Sequence, residues 1–327
     1  MRKSIAYFII IAFAVMLCGC YGGKAEPVGE TRLMLDTVCS ITIYDPPDRQ
    51  LVSEAMELCE EYEKLFSVTI EGSDVWRVNH AGGAPVTVSD ETAQVILAGL
   101  SFGGISGGLF DITIGRLSGL WNFKGTPSLP AAQEIAAARD TVDSSKISLT
   151  GNTVQMADTD AWLDLGGIAK GYIADRLASF LKEKGVKGAV IDLGGNVILV
   201  GKKPGGNLWR VGVTKPFSES GELLGTIETG EASAVTSGIY ERQFESGGRI
   251  YHHILDPRTG MPVESDVVSA TVIARSSMTG DALSTMFVLL GSSAAELLGS
   301  VPGFIGAIVV LDSGEVLEYG KVEFTRR

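Results

Sequence analysis

The chain has 327 residues, 45% of them hydrophobic, and a formal net charge of −12 at pH 7. An acidic body argues against nucleic acid as a partner, and an anionic ligand needs a metal or local backbone donors to overcome the general field. At about 150 residues per domain the length fits one large domain or two ordinary ones, with ample material for a core.

Arg2 and Lys3 precede an almost unbroken apolar run over residues 4–17, the charged and hydrophobic parts of an export signal. The run is too short for a comfortable membrane span and ends in Leu17-Cys18-Gly19-Cys20, which looks like a bacterial lipobox. Residues 1–19 are expected to be removed, leaving Cys20 as a lipidated, palmitate-bearing N-terminus. The plainer alternative, an ordinary cleaved signal peptide, exports the body all the same. Losing Arg2 and Lys3 takes the formal charge from −12 to −14. Residues 20–29 read as a tether and residues 30–327 as the working domain. No other segment reads as apolar for long enough to span a membrane. Cys39 and Cys59 remain in the body; the compartment permits a disulfide, but their spacing does not call for one.

Residues 38–44 alternate and are β-rich up to Asp45-Pro46-Pro47, a first strand closed by a turn. Residues 53–66 carry Met56, Cys59 and Phe66 at helical spacing among glutamates, an amphipathic surface helix. Ser89 is placed to cap a helix from Asp90 through Val95 and Leu100. Residues 168–184 put Ile173, Leu177, Phe180 and Leu181 on one face, with Gly185 just past the end. Residues 189–193 and 197–200 flank Gly194-Gly195-Asn196 as paired strands. A late hairpin, 307–311 with 315–319, turns on Asp312-Ser313-Gly314. With neither a βαβ rhythm nor a long-period repeat, the fold class is α+β, a mostly antiparallel sheet with flanking helices.

Three constellations carry chemistry. Asp164-Leu165-Gly166-Gly167-Ile168-Ala169-Lys170-Gly171 opens the helix at 168, where glycines admit a ligand close to the backbone and free N–H groups favour phosphate. Lys170 neutralises it as a point charge; the plain alternative is a glycine-rich helix start with a solvated lysine. Asp281, Ser284 and Thr285, at i, i+3 and i+4, put one carboxylate and two hydroxyls on one helix face. That set suits magnesium once carbonyls, phosphate and water complete it, or it simply serves the helix dipole and the preceding turn. Tyr251-His252-His253-Ile254-Leu255-Asp256-Pro257-Arg258 holds two of the three histidines. One of them is a candidate base with Asp256 to orient it, because neighbours in a strand face opposite ways. Zinc would want a third ligand, and none follows at useful spacing.

Taken together these residues resemble the bacterial FAD:protein FMN transferases of the ApbE type. The likeness is an ordered series: Met34, residues 109–113, 164–175, 192–196, 236–242, 253–262 and 281–285. It implies an ApbE-like, T-fold-like domain. It also implies that Met34, the segment around Trp76, Leu109, Phe110, Asp111, Asp164, Lys170, Ile254 and Leu255 enclose the flavin nucleotide. The metal position it implies is the Gly167 carbonyl with Asp281 and Thr285. Two departures stand out: some relatives have threonine where this chain has Gly167, and Ile239 follows Gly238 where a polar residue is expected.

The reaction so implied is magnesium-dependent transfer of FMN from FAD to a threonine or serine hydroxyl of an exported or membrane-bound electron-transfer protein, with release of AMP. His253 is the candidate base, supported by Asp256. The enzyme is expected in the cell envelope, lipid-anchored on the outer face of the cytoplasmic membrane or in the periplasm. The competing readings are an exported FAD pyrophosphatase giving FMN and AMP, and a non-catalytic flavin-binding lipoprotein.

Overall fold

The computed structural model describes residues 26–121, 123, 128–218 and 220–327. The expected signal segment 1–19, Cys20 and the tether as far as residue 25 lie outside the described residues. Eight antiparallel strands make the main sheet, in the order β1 (Val28–Met34), β2 (Thr37–Asp45), β6 (Gly188–Leu193), β7 (Asn196–Gly201), β10 (Ala232–Gly238), β13 (Val267–Ala274), β14 (Phe304–Leu311) and β15 (Val316–Gly320). The α+β, mostly antiparallel class is therefore what the chain adopts. Strand β1 begins at Val28, two residues before the expected domain start, and its alternation of Glu30 and Arg32 with small residues hides an edge strand.

The two faces of the sheet are covered differently. Cys39, Ile41 and Ile43 of β2 and Ala189, Ile191 and Leu193 of β6 point to one side, at the strand period of two. Helices α1 (Arg49–Phe66), α6 (Ala169–Glu183) and α7 (Ser277–Leu290) bury that side. Asp48 caps α1 by accepting from the N–H groups of Gln50 and Leu51, so the helix starts earlier than its amphipathic pattern indicates. Gly185 ends α6 at φ +86°, as expected of a glycine just past a helix. On the opposite side, a small sheet of β16 (Glu323–Arg326), β9 (Leu223–Thr229) and β8 (Trp209–Thr214) packs Val213 and Ile227 onto Ala232, Ile273 and Ile308. Residues 277–300 do have the length and mean hydropathy, 1.4, of a membrane span, contrary to the expectation that none remained. Half of that stretch is buried inside the protein, where α7 packs against α6 and strands β10 and β13.

Between α1 and α6 the chain builds the wall of the site from α2 (Asp74–Asn79), α3 (Asp90–Ile105), α4 (Gly115–Leu120), α5 (Ala132–Arg139) and a sheet of β3 (Val86–Thr87), β5 (Thr153–Met156) and β4 (Ile147–Thr150). Ser89 caps α3 through the Thr92 N–H, as its position predicts. A hairpin of β11 (Gln243–Ser246) and β12 (Arg249–His252) joins this wall through Leu117, Trp121, Ile135, Tyr251 and Leu255.

Helices α6 and α7 are fastened at their N-terminal ends by two carboxylates acting in opposite directions. Asp175 of α6 accepts from the N–H groups of Ser277 (2.7 Å) and Met278 (3.0 Å) and from the Ser276 hydroxyl (2.6 Å). Asp281 of α7 accepts from the Gly171 N–H of α6 at 2.8 Å. The close approach depends on Gly171, where a Cβ would stand 2.5 Å from the Met278 Cα and the Ser277 carbonyl oxygen. Both are backbone atoms and cannot rotate away. Gly171→Ala is therefore expected to destabilise the protein by about 1–3 kcal/mol, read as a lower midpoint in urea denaturation; an unchanged midpoint would show that the helix pair has slack.

Candidate functional site

At the end of the main sheet where β6 turns into β7 and β10 stops, the free start of α6 meets the first turns of α7. No side chain caps α6 at Ile168; of its first-turn N–H groups Ala169 donates to the Leu165 carbonyl and Gly171 to Asp281, so the N–H left to an anion there is that of Lys170. Asp164 shapes the turn before it, accepting from Gly166 N–H at 2.9 Å and from the Ser118 hydroxyl at 2.8 Å, while its own N–H donates to the Ile112 carbonyl. Phe110 packs against Gly167, where a Cβ would come within 3.1 Å of the ring. A threonine in place of Gly167, as in some relatives, would have to displace that ring.

Lys170 projects from this first turn and makes no hydrogen bond or ion pair with any described residue, yet its charge reaches Asp281, Glu241 and His253. Asp281 is 3% exposed, and burial raises its carboxyl well above the usual range, against the pull of Lys170 and the Gly171 N–H. Asn196 is wholly buried beside it. Its Oδ1 accepts from the Ser277 hydroxyl, while Nδ2 favours the charged form of Asp281 without closing to a hydrogen bond. A cation would compensate such a buried carboxylate further. The hydroxyls of Ser284 and Thr285 donate to the Asp281 carbonyl at 3.0 and 3.2 Å and stand 2.8 and 3.3 Å from the Ser237 hydroxyl. Ser284 is fully buried against β10, whereas Thr285 keeps partial exposure. Among the described residues no group of three histidine, cysteine or acidic side chains could hold a metal ion. One carboxylate with hydroxyls and carbonyls fits a hard ion such as magnesium.

The two histidines separate as a strand requires. His252 turns inward and its ring donates to the Val263 carbonyl at 3.2 Å. His253 lies just past β12, with Nδ1 3.3 Å from the Arg242 carbonyl. A carbonyl only accepts, so Nδ1 carries the proton and Nε2 is left with its lone pair. Burial, Arg242 and Lys170 push His253 down to about 4, which keeps the ring neutral at pH 7. Asp256 does not support it. Arg258 holds the Asp256 carboxylate at 2.7 and 3.0 Å, and the Arg258 N–H at 2.8 Å adds a third bond, so Asp256 shapes the turn at residues 256–261. The Asp-Pro-Arg sequence explains the correction, because an arginine two residues on reaches the carboxylate first.

The remaining expected positions line the wall or support it. Met34 is 5% exposed at the end of β1. Trp76 stacks on His80 at 4.1 Å between centroids, next to Trp162 at 5.4 Å from His80, and Asn79 ties this helix to Leu163 on both sides of its amide. Asp111 spends its carboxylate on Thr113 and the Ser144 N–H, which organises the loop carrying Leu109 and Phe110. Ile254 and Leu255 are buried in separate clusters. Reading the sequence assigned no role to Gly171, Asp175, Asn196 or Glu241, although all four fall inside the recognised series. Glu241 is exposed, and the protein around it raises its carboxyl against the pull of Lys170 and Arg242. Cys39 and Cys59 are buried free thiols in the core beneath β2.

With this geometry in view, comparison with known proteins is decisive. The profile of the ApbE family matches residues 35–308. The chain belongs to the ApbE family. It is 39% identical over 249 residues to a FAD:protein FMN transferase of Klebsiella pneumoniae, covering 75% of this chain and 77% of that protein. It is 31% identical to the FAD:protein FMN transferase of Treponema pallidum across 100% of this chain and 97% of that one. Among solved structures, the ApbE protein of Thermotoga maritima superposes with a TM-score of 0.81 at 31% identity, covering 90% of this chain and 97% of the other. The flavin transferase ApbE of Vibrio cholerae gives 0.79 at 29% identity with the same coverage.

Burial of His252, 6% exposed, pushes its pKa down to about 4. The unfolded chain takes up that proton first, so this contribution to stability is complete above about 6.5 and is lost as pH falls towards 4, by roughly 3 kcal/mol at most. His252→Gln keeps a donor for Val263 and is expected to lose that part of the acid destabilisation between pH 7 and 4.5 in urea denaturation. The difference between the two proteins isolates it from Asp175, Glu241 and Asp281, whose raised values act in the opposite sense. Equal pH dependence would place the acid sensitivity elsewhere.

Proposed function

We propose that this ApbE-family chain is a transferase that moves FMN from FAD onto a threonine or serine hydroxyl of another protein, releasing AMP. The observation that carries the reading is the placing of Lys170, in the first turn of α6, near the buried Asp281 of α7, which accepts from the Gly171 N–H of that same turn. A phosphate finds the Lys170 N–H, the positive end of the helix and the Lys170 ammonium at the start of α6, and Lys170 opposes the overall acidity of the chain there. His253 Nε2 accepts the proton of the attacking hydroxyl. The hydroxyl oxygen bonds to the FMN phosphorus as the phosphorus–oxygen bond to AMP breaks. Asp281, Thr285 and the Gly167 carbonyl would hold magnesium, whose role when bound is to offset phosphate charge in the transition state. Glu241, whose carboxyl is raised further by the charge of Asp281, adds to the negative charge that such a cation would offset.

The acceptor is proposed to be an exported or membrane-bound electron-transfer protein, with this chain held beside it in the cell envelope through lipid on Cys20. A Cys20→Ser chain is expected in the soluble fraction; one that stays wholly with membranes would remove the anchor.

Asp281→Asn tests the site. Asparagine still accepts from the Gly171 N–H, so fold stability should hold, while magnesium affinity measured by calorimetry is lost and turnover falls by roughly 100-fold or more. Normal magnesium binding and normal turnover in that variant would misplace the metal.

A further inference from the structure

The small sheet of β16, β9 and β8 packs on the β10–β14 part of the main sheet's outer side, and its Trp209 reaches over Tyr44 of β2, 5.3 Å between ring centroids, and donates to the Gly201 carbonyl. Leu199 of β7 is buried, and the outer side of β1, β2 and β6 keeps partial or full exposure. Register fixes what it presents: Val38 pairs with Leu33, Ser40 with Asp192, Thr42 with Val190, and Val190 and Asp192 in turn pair with Leu199 and Val197. With the strand period of two, all of these side chains share one face. Leu33 and Val38 are 83% and 56% exposed, an apolar pair at the very tip of a hairpin. Farther along, Val190, Val197 and Leu199 floor a cleft of about 350 Å³ walled by Trp209. An adjoining cleft of about 580 Å³ shares Lys203 and Arg210 with it. Arg210 is paired to Glu228, whereas Lys203 has no ion pair with any described residue.

This face runs directly into the proposed site. Asp192 accepts from the Gly195 N–H at 3.0 Å, a Cβ at Gly195 would stand 4.0 Å from Glu241 Oε1, and Gly194 lies against Thr37, next to Val38. A macromolecular acceptor must touch whatever adjoins the mouth while its hydroxyl is held at the phosphorus. Exposed apolar residues rimmed by polar ones mark such surfaces.

We infer that the open face from Leu33 and Val38 to Lys203 is the docking surface for the flavin-accepting protein. The partner it fits presents an apolar stretch beside its acceptor hydroxyl and acidic residues at the far end, opposite Lys203. The inference rests on the transfer reading above and specifies its protein substrate.

The test uses the full exported chain and, as probe, the flavin-accepting domain of a membrane electron-transfer protein. Val38→Glu and Lys203→Glu are each compared with the unsubstituted chain by anisotropy of the labelled domain, by KM for the domain in FMN transfer, and by FAD affinity. The expected result is about a tenfold or greater rise in both Kd and KM for the domain, with FAD affinity unchanged. Unchanged Kd and KM would overturn the proposal, as would equal losses in FAD affinity, which would mean a disturbed site. A chain that binds the domain through these residues but transfers nothing would leave the docking surface standing and defeat the transferase reading. A dimer that Val38→Glu dissociates would assign the face to a second copy and overturn the inference.

Discussion

Everything at the candidate site depends on how closely α6 and α7 approach at their N-terminal ends. Two aspartates make that possible, each lending its carboxylate to backbone donors of the other helix: Asp175 to the first turn of α7, Asp281 to Gly171. Burying a carboxylate is expensive unless donors or cations compensate. Burial raises both carboxyls; Asp175 spends its oxygens on three donors of α7, whereas Asp281 accepts one backbone N–H and so keeps an oxygen free for an ion.

The local parts of this arrangement were legible in the sequence, and the coupling was not. A glycine pair before an amphipathic helix, a lysine one turn in and an aspartate with hydroxyls at helical spacing are short-range signals. That Gly171 must lack a side chain because Met278 crosses it, or that Asp175 caps a helix 100 residues away, follows only from tertiary packing. His252 and His253 separated as the strand period demands. Asp256 went astray because a residue two positions on competes for its carboxylate, and proximity in sequence to His253 said nothing about which partner wins. Strand β1 escaped notice because an edge strand with Glu30 and Arg32 on it lacks the β-branched alternation of buried strands.

Coverage of the main sheet differs between its two sides. Helices close one side and a second sheet closes half of the other, so hydrophobic burial is largely complete around β13, where every residue is buried. The uncovered quarter, under β2 and β6, keeps partial exposure at alternate positions. The partly exposed strands beside the α6–α7 junction thus follow from the short span of the second sheet.

The most direct measurement of the central claim is intact-mass spectrometry of a flavin-accepting domain incubated with this chain, FAD and magnesium. The account predicts that the domain gains the mass of FMN on a threonine or serine and that AMP appears in equal amount. FMN and AMP released together beside an unmodified domain, or FAD left intact, would contradict it.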